Sequence, residues 1–329
     1  MRIPATMRAL QQTSLRGPSD THLVADEPVP RPGPGEILVR VEAAGVNLAD
    51  LSRARGTFHG GPRPPYVAGF EAAGEVVALG TGVEEPAPGT RVVGVGDGAF
   101  AEFAVLPAAG AVRIPEGWAA ADALGLVVNR PAALAALRLG RVGAGETVLV
   151  HAAAGATGQA AVVLAKRFGA VVIGSASPAK HDTVRALGAD HVVDSVDGDL
   201  VAEVRARTGG AGADLVLESV GGARFAESLA ATRRVTGRVV VVGLAGGEAA
   251  LTNWDLVYRH QVQLVGLNIG VLAEAAPQLF GELMGELFAL VAAGTLGPAR
   301  PAVHDLAEGP AVLAALEERA TVGKLALRP

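Results

Sequence analysis

A run of small residues follows an apolar stretch in the middle of the chain and could bind phosphate. After the apolar residues 147–150, the run contains Ala152, Gly155, Ala156, Thr157 and Gly158. Small residues at a tight turn let the backbone approach a pyrophosphate, and a helix that begins there presents free N–H groups and the positive end of its dipole. The spacing Ala-x-x-Gly-x-x-Gly differs from Gly-x-Gly-x-x-Gly, and glycines also form ordinary turns. The prediction of a dinucleotide site therefore depends on the place of this turn at the start of an α/β array.

The end of the next apolar stretch indicates which dinucleotide would bind. It carries Ser175, Ser177 and Lys180, and no carboxylate occurs before Asp182. An NAD site places an acidic residue about 20 positions after the glycine turn, to bind the ribose hydroxyls. Hydroxyls with a lysine suit a 2′-phosphate instead, so the sequence predicts NADPH as cofactor, bound more tightly than NADH. Ser177 could also be the N-cap of a solvated helix, and both roles can hold at once.

The absence of cysteine limits the other chemistry that this chain could perform. A chain with no cysteine has no disulfide, no thiolate nucleophile and no cysteine-based metal site. None of its seven histidines forms a spaced pair with another metal ligand, so we expect ordinary surface or core roles for each and no bound metal. They are His22, His59, His151, His181, His191, His260 and His304.

The elements that position the glycine turn alternate between strand and helix from about residue 126. Apolar strands without polar alternation, separated by helices, are typical of a parallel sheet buried on both faces. The sequence therefore predicts an α/β, doubly wound domain of the Rossmann type. The expected strands lie at 147–152, 171–174, 191–193, 214–218, 238–242 and 262–267, and the expected helices include 132–139, 156–168 and 178–187.

The remaining parts of the chain have a different pattern. Residues 7–125 contain short predicted strands (36–41, 74–79 and 90–94) between turns rich in proline and glycine, which suggests a barrel-like lobe. After residue 268 come a predicted amphipathic helix at 277–291 and a terminal apolar run at 323–327.

Composition excludes several classes of function. The 329 residues suffice for two domains, and the net charge of −5 lacks the basic surface of a nucleic-acid binder. The longest apolar stretches are too short to span a bilayer, and the first residues lack the apolar run of a signal peptide. We therefore expect a soluble, cytoplasmic protein that has neither a nucleic acid nor a membrane as a partner.

Four motifs along the chain are PGPGEILVRV at 32–41, AGVNLAD at 44–50, GFEAAG at 69–74 and LGADH at 187–191. Together with the glycine turn, they resemble the medium-chain dehydrogenase/reductases, specifically the zinc-free quinone oxidoreductase branch and its enoyl-reductase relatives. The resemblance runs from Met7 to the end of the chain. It implies a GroES-like, partly β-barrel catalytic domain made of residues 1–128 and 268–329, with the Rossmann NADPH-binding domain, residues 129–267, inserted between them.

The resemblance also implies the reaction. In the zinc-dependent branch of the family, cysteine and histidine bind the metal, whereas here Asn47 and Phe70 stand at the matching positions. Without zinc, alcohol oxidation is not expected. The family instead transfers a hydride from the nicotinamide, held in the cleft between the domains, to a small-molecule quinone or to a carbonyl-conjugated double bond of an enone or enoyl substrate. The alternative is a non-catalytic NADPH-binding protein of the same fold.

Individual residues take their expected roles from the same resemblance. Asn47 and Asp50 match an Asn-x-x-Asp motif beside the nicotinamide ribose and the substrate, so both are candidate catalytic residues and Asn47 is also a candidate cofactor ligand. The late strand 261–267 lies where relatives pair their sheets edge to edge, which implies a homodimer. The other cofactor ligands implied are Ser177, Lys180 and Arg319 around the 2′-phosphate, and Ser219, Gly243, Leu244 and Asn268 around the ribose and nicotinamide. Ser175 stays a candidate cofactor ligand from its place at the strand end.

Three departures from the family pattern bear on the chemistry. Phe58 replaces a tyrosine near the substrate, Ser195 replaces a tyrosine near the 2′-phosphate, and Ala132 replaces a threonine near the nicotinamide. The proton donor is then unassigned and could be water. Because the oxygens of a reduced quinone can take protons from water, whereas a carbon must be protonated in an enone, we expect quinones to be reduced more readily than simple enones.

Overall fold

The computed structural model describes residues 2–329, which form two compact units. One unit contains the chain up to Val128 together with Pro298–Pro329, and the other contains Asn129–Gly297. The first division coincides with the predicted change at residue 128. The second boundary between the units lies after residue 297, whereas the sequence predicted that the catalytic domain resumes at residue 268. The boundary is later because the helices that follow residue 268 pack into the core of the inserted unit.

Sixteen strands and ten α-helices are present in the described residues. The strands are β1 (Thr6–Gln12), β2 (Thr21–Pro28), β3 (Glu36–Val46), β4 (Tyr66–Val67), β5 (Glu71–Leu79), β6 (Arg91–Val95), β7 (Phe103–Pro107), β8 (Val112–Arg113), β9 (Thr147–Val150), β10 (Val171–Ala176), β11 (His191–Asp194), β12 (Leu215–Glu218), β13 (Arg238–Val241), β14 (Gln263–Gly266), β15 (Ala302–Asp305) and β16 (Leu325–Arg328). The helices are α1 (Leu48–Ala54), α2 (Ala120–Ala123), α3 (Asn129–Leu139), α4 (Ala156–Arg167), α5 (His181–Ala186), α6 (Leu200–Arg207), α7 (Arg224–Ala231), α8 (Ile269–Ala275), α9 (Pro277–Ala292) and α10 (Gly309–Glu317).

The first unit is built around the long strand β3. In one sheet the strands lie in the order β15-β16-β3-β5-β6-β8, with β7 also paired to β3, and a smaller sheet has the order β2-β1-β4. The register between β3 and β5 shifts twice, between Leu38 and Val39 and again between Val41 and Ala43. Such bulges bend a strand, and β3 pairs with β7 near its start and with β16 at its end. The C-terminal strand β16 is therefore part of the same sheet as β3 and β5 from the first half of the chain.

The second unit contains a six-stranded parallel sheet with the order β11-β10-β9-β12-β13-β14. Numbered from β9, this is the order 3-2-1-4-5-6 of dinucleotide-binding folds. The predicted doubly wound sheet is confirmed, because all five strand pairs are parallel. The strand order reverses between β9 and β12, and ligands of such sheets bind at the carboxyl ends of the strands beside this reversal.

Alternate residues of β9 point into two separate cores, which explains its unbroken apolar sequence. Val148 and Val150 pack on one face with α3, α4 and α9, while Leu149 packs on the other face with α6 and α7. Leu283 and Leu287 of α9 are buried in the first of these cores. Removing α9 would expose this face, so the unit continues to Gly297.

None of the helices in residues 2–329 combines the length and the apolar character needed to cross a membrane.

Candidate functional site

The predicted phosphate turn lies between β9 and α4, beside the point where the strand order reverses. Helix α4 begins at Ala156 with Gly155 as its N-cap, and this N-cap makes no side-chain hydrogen bond. The first N–H groups of a helix have no partner within the helix, and the helix dipole makes this end positive. A helix start without a side-chain cap can receive a phosphate, so the turn fits the pyrophosphate of a dinucleotide.

The small residues of this turn have different structural roles. A Cβ on Gly158 would lie 2.2 Å from the carbonyl oxygen of Ala152, so only glycine lets α4 pack this closely against the end of β9. A Cβ on Gly155 would approach the same oxygen only to 3.3 Å. Ala152 itself has a φ of 48°, a left-handed conformation that is uncommon for a residue with a Cβ. Gly158 is therefore required by packing, whereas Gly155 keeps the outer surface of the turn open.

A buried network of three polar side chains lies beneath the turn. The Ser228 hydroxyl lies 2.9 Å from Nε2 of His151 and also donates to Oε2 of Glu218. The other Glu218 oxygen accepts hydrogen bonds from the N–H groups of Val220 and Gly221. Burial lowers the pKa of His151, although the nearby Glu218 acts in the opposite direction. Because His151 follows β9 and Glu218 ends β12, the network joins the two loops that flank the reversal point.

The residues predicted to bind the 2′-phosphate differ in their surroundings. Ser175 is a buried residue of β10, whereas Ser177 and Lys180 are half-buried just after this strand. Ser177 stands at the N-cap of the turn Pro178–Lys180 but makes no side-chain cap hydrogen bond. Partial burial lowers the pKa of Lys180. In the other unit Arg319 follows the end of α10, exposed and with a left-handed φ of 57°.

The residues predicted around the ribose and nicotinamide follow strands of the same sheet. The Ser219 hydroxyl donates to the carbonyl oxygen of His151 over 3.5 Å, and a Cβ on Gly243 would lie 3.1 Å from the carbonyl oxygen of Ser219. The structure therefore brings Ser219 and Gly243 together beside the turn. Leu244 is about half exposed. Asn268 is the N-cap of α8, and its Oδ1 accepts from two backbone N–H groups of that helix.

In the first unit, the side chain of Asn47 belongs to a buried ionic cluster. Its Nδ2 donates to Oε2 of Glu71 over 2.9 Å, and its Oδ1 accepts from Nζ of Lys324 over 2.8 Å. Lys324 Nζ also lies 2.6 Å from the same Glu71 oxygen. The remaining Glu71 oxygen accepts from the N–H of Gly125. The Asn47 amide is thus fixed at both ends by charged partners.

Asp50 lies three residues after Asn47 and is buried without an ionic partner. Its Oδ2 accepts from the backbone N–H of Asn47 over 2.8 Å, which caps helix α1. Its Oδ1 is shielded from solvent and makes no hydrogen bond to any residue that the structure describes. Burial raises the pKa of Asp50 to about 7, against the opposing influence of the Asn47 N–H, Lys324 and Arg53. A carboxyl group with this pKa is protonated to a large extent near neutral pH, so it can donate a proton.

Arg53 and Tyr66 lie near this acid. The guanidinium carbon of Arg53 is 5.2 Å from the centre of the Phe58 ring and 4.8 Å from that of Phe70. Both Arg53 and Asp50 act electrostatically on the hydroxyl of Tyr66, whose pKa is raised mainly by burial. Arg53, Tyr66, Glu71 and Lys324 are not among the residues predicted from the sequence. A signal was available for Glu71, a charged residue within the apolar run 68–73.

The residues at the positions of the family's zinc ligands do not fit a zinc ion. Phe70 has no donor atom, the Asn47 amide is engaged by Glu71 and Lys324, and the Lys324 ammonium group would repel a cation. Among residues 2–329 no group of three His, Cys, Asp or Glu side chains could hold a metal ion.

Two family models match the chain, one in each unit. The model described as alcohol dehydrogenase GroES-like domain matches residues 33–116, and the model described as zinc-binding dehydrogenase matches residues 156–285. Erythronolide synthase EryA2 from Saccharopolyspora erythraea is 38% identical over 98% of this chain. The chain spans only 9% of the length of that polyketide synthase.

Solved structures match the chain over nearly its whole length. Mycobacterial Rv1454c complexed with NADPH is 30% identical, with a TM-score of 0.91 over 98% of this chain and 100% of that one. The Escherichia coli quinone oxidoreductase complexed with NADPH is 28% identical, with a TM-score of 0.88 over 98% and 100% of the two chains. The CurK enoyl reductase is also 28% identical, with a TM-score of 0.86 over 98% and 99%.

The fold and these matches define the class of protein. A parallel sheet of the dinucleotide-binding order, combined with a GroES-like unit made from both ends of the chain, is the architecture predicted from the four motifs. The chain belongs to the medium-chain dehydrogenase/reductase family. Within that family it is an oxidoreductase similar to quinone oxidoreductases and to an enoyl reductase.

Proposed function

We propose that this protein is an NADPH-dependent reductase of carbonyl-conjugated double bonds, with enoyl thioesters as its substrate class. The observation that carries this proposal is Asp50, a buried acid with a pKa of about 7 and an Oδ1 that makes no hydrogen bond within residues 2–329. Reduction of a conjugated double bond requires a proton on carbon, and a buried carboxylic acid that is still largely protonated near neutral pH can supply it. The similarity to a polyketide synthase and to an enoyl reductase supports the same substrate class.

The second unit would bind the cofactor. The uncapped start of α4 would receive the pyrophosphate, while Ser177 and Lys180 provide a hydroxyl and an ammonium group for the 2′-phosphate. Two relatives have been crystallised with NADPH. Arg319 could add a guanidinium, which binds phosphate through a fork of donors.

Residues of the first unit would act on the substrate. Bound NADPH supplies a hydride to the β-carbon of the substrate. Asp50 would then hold the proton that the α-carbon takes. The side chain of Asn47, held by Glu71, would fix the residue whose backbone N–H caps α1 and binds Asp50. No metal takes part, since the residues at the family's zinc positions do not fit one. Turnover should therefore survive treatment with a chelator.

A quinone is the second candidate substrate. The similarity to the Escherichia coli quinone oxidoreductase favours it, and a reduced quinone can take both protons from water. Under this alternative Asp50 would be dispensable for turnover. The effect of Asp50→Asn on each substrate class therefore separates the two candidates.

One screen tests the proposal. NADPH oxidation would be followed with crotonyl-CoA, a 2-alkenal and benzoquinone, using the wild-type protein and the Asp50→Asn variant. We expect turnover of the enoyl thioester and its loss in the variant. Turnover of benzoquinone alone would support the second candidate. NADPH binding with no turnover of any substrate would support the alternative of a non-catalytic binding protein.

We also propose that the protein forms a homodimer through β14. This strand is at the edge of the six-stranded sheet, and Leu264 in it is a partly exposed apolar residue. Trp254, Val257 and Tyr258, in the segment before β14, are more than half exposed. An exposed edge strand with apolar neighbours invites pairing with another strand, which a second copy can provide. Light scattering should give twice the monomer mass, and a monomer at micromolar concentration would contradict the proposal.

A further inference from the structure

Two buried polar atoms on α1 have no hydrogen-bond partner among the described residues, and they lie on the same side of the helix. They are Oδ1 of Asp50 and Nε of Arg53. Residues three apart on a helix are neighbours on its surface. Buried polar atoms without a partner are uncommon in folded proteins, and each one requires an explanation. A ligand oxygen that accepts hydrogen bonds would satisfy the Arg53 N–H.

The Arg53 guanidinium is held in a defined position although it has little exposure. The Phe58 and Phe70 rings lie 5.2 and 4.8 Å from its Cζ, and NH1 lies 2.6 Å from Oδ1 of Asp97. The Asp97 side chain is 74% exposed, so the carboxylate of this ion pair is solvated, which weakens the pair. The two aromatic rings and Asp97 together hold the cation where it is.

Three groups near this position can donate a hydrogen bond. They are the Arg53 guanidinium, the Tyr66 hydroxyl and the protonated form of Asp50. The carboxylate that pairs with the guanidinium is that of Asp97, which is largely exposed. A set of donors around a fixed cation, beside aromatic rings, suits an oxygen that becomes negatively charged in an apolar environment.

We propose that Arg53, with Tyr66, receives the carbonyl oxygen of the substrate and stabilises the negative charge that develops there. This inference rests on the proposed function, and it assigns the electrostatic role to a residue that the family resemblance did not identify. The ring of Phe58, 36% exposed, covers the guanidinium and would have to move aside for the oxygen to enter.

Reduction of an enoyl thioester at this site forms one bond to hydride and one to a proton. The hydride forms a bond to the β-carbon, the electron pair of the double bond moves to the carbonyl oxygen, and Arg53 faces the enolate oxygen that results. The electron pair then returns to form a bond between the α-carbon and the proton of Asp50. The products are the saturated thioester and NADP⁺, and the Asp50 carboxylate regains its proton from water.

Binding of 2,4-dinitrophenolate to the NADP⁺ complex tests this site without turnover. The phenolate is an aromatic oxyanion whose absorption reports on its environment, and it would be titrated at mildly acidic pH, where this phenol is ionised while Asp50, with its pKa of about 7, keeps its proton. We expect Arg53→Met to weaken its binding by about 10- to 100-fold, the equivalent of one hydrogen bond to a charged group. The kcat for crotonyl-CoA should fall by a similar factor, with the Kd for NADPH unchanged.

Arg55→Met is the matched control. Arg55 lies two residues further along, is half exposed, and pairs with Glu317 rather than with the aromatic rings. This variant should keep wild-type phenolate affinity and kcat. Arg53→Lys keeps the charge without the planar guanidinium, so its phenolate affinity and kcat should lie between those of Arg53→Met and the wild type. This variant also tests the inference if Arg53→Met fails to fold.

The outcomes separate this inference from the proposed function. Wild-type phenolate affinity and kcat in a folded Arg53→Met variant would overturn the inference while leaving the proposed function intact. Failure of the wild-type protein to bind the phenolate would also overturn it. A third outcome is that the wild-type protein reduces no substrate but binds the phenolate, and that Arg53→Met weakens this binding. In that case the oxyanion site is supported and the proposed function fails.

Discussion

The Lys324 ammonium nitrogen lies 2.6 Å from Oε2 of Glu71, and both side chains are almost completely buried. Asn47 completes the cluster by donating to Glu71 and accepting from Lys324. The two charged residues are 253 positions apart in the sequence, at the start of β5 and just before β16. This ion pair therefore joins the C-terminal strand to the N-terminal part of the first unit, directly under the start of α1.

Replacing Lys324 by Met should destabilise the protein strongly. The change leaves the Glu71 carboxylate buried with only the Asn47 amide and the Gly125 N–H as partners. Breaking a buried pair from one side costs about 3–5 kcal/mol. The free energy of unfolding in urea measures the loss.

The matched control for this prediction is the exposed ion pair between Arg113 and Glu85. Exposed pairs contribute about 0–1 kcal/mol, so Arg113→Met should have a small effect. Similar losses in the two variants would show that the buried pair has no special structural role.

Replacing Asp50 by Asn should change how stability depends on pH. Burial raises the pKa of Asp50 from the ordinary 3.8 to about 7, although Lys324 and Arg53 oppose the shift and Glu71 supports it. The folded wild-type protein then holds a proton that the unfolded chain releases between these two values. The stability that this proton contributes is fully present below the pKa of Asp50 in the unfolded chain, and it is lost as the pH rises through 7.

The wild-type protein should therefore lose about 2–4 kcal/mol of stability between acidic and slightly alkaline pH through this group alone, and Asp50→Asn should not. The asparagine oxygen can still accept the capping hydrogen bond from Asn47. Asp122→Asn is a control with the same capping geometry near the surface, at α2. Urea unfolding at several pH values gives the comparison, and parallel curves for wild type and Asp50→Asn would contradict a raised pKa.

The phosphate turn could be predicted from sequence because its determinants are local. The apolar strand, the small residues and the following helix occupy one continuous stretch, and the structure places each of them as expected. The parallel sheet follows from the same kind of signal, since β9, β10, β12 and β13 are apolar on both faces. The exact contribution of each glycine required coordinates, because Gly158 is needed for contact with Ala152 and Gly155 is not.

The cluster around α1 could not be predicted in this way. Lys324 meets Glu71 only because β16 pairs with β3, and no local pattern specifies that pairing. Tyr66 lies in a strand of two residues that is formed by pairing with β1. The position of α8 and α9 likewise depends on burial of Leu283 and Leu287 in a core made by distant residues. Long-range packing therefore determines the positions of these residues and helices, which local sequence patterns do not specify.

Replacing Lys180 by Ala should weaken the binding of NADPH much more than that of NADH. The proposed partner of Lys180 is the 2′-phosphate, which NADH lacks, and one charged hydrogen bond corresponds to about 10- to 100-fold in Kd. Fluorescence titration with each cofactor measures the two constants. Arg185→Ala, in the neighbouring helix α5, removes an exposed cation that pairs with Asp182 and should leave both constants unchanged. Equal weakening of NADPH and NADH by Lys180→Ala would assign the lysine to another part of the site.

Replacing Phe58 by Tyr tests whether this chain retains the family geometry around its substrate. Phe58 stands where the resemblance places a tyrosine, and its ring lies 5.2 Å from the Arg53 guanidinium carbon. A hydroxyl at this position would add a donor beside the proposed oxyanion site, so turnover of enones should rise by about 2- to 10-fold, as expected for a neutral hydrogen bond. Benzoquinone turnover should change little, because the product oxygens can take protons from water. Tyr66→Phe is the reciprocal variant and should lower enone turnover by a similar factor. If Phe58→Tyr stays folded and enone turnover is unchanged or lower, Phe58 is a packing residue for Arg53 and a phenol at this position has no part in the reaction.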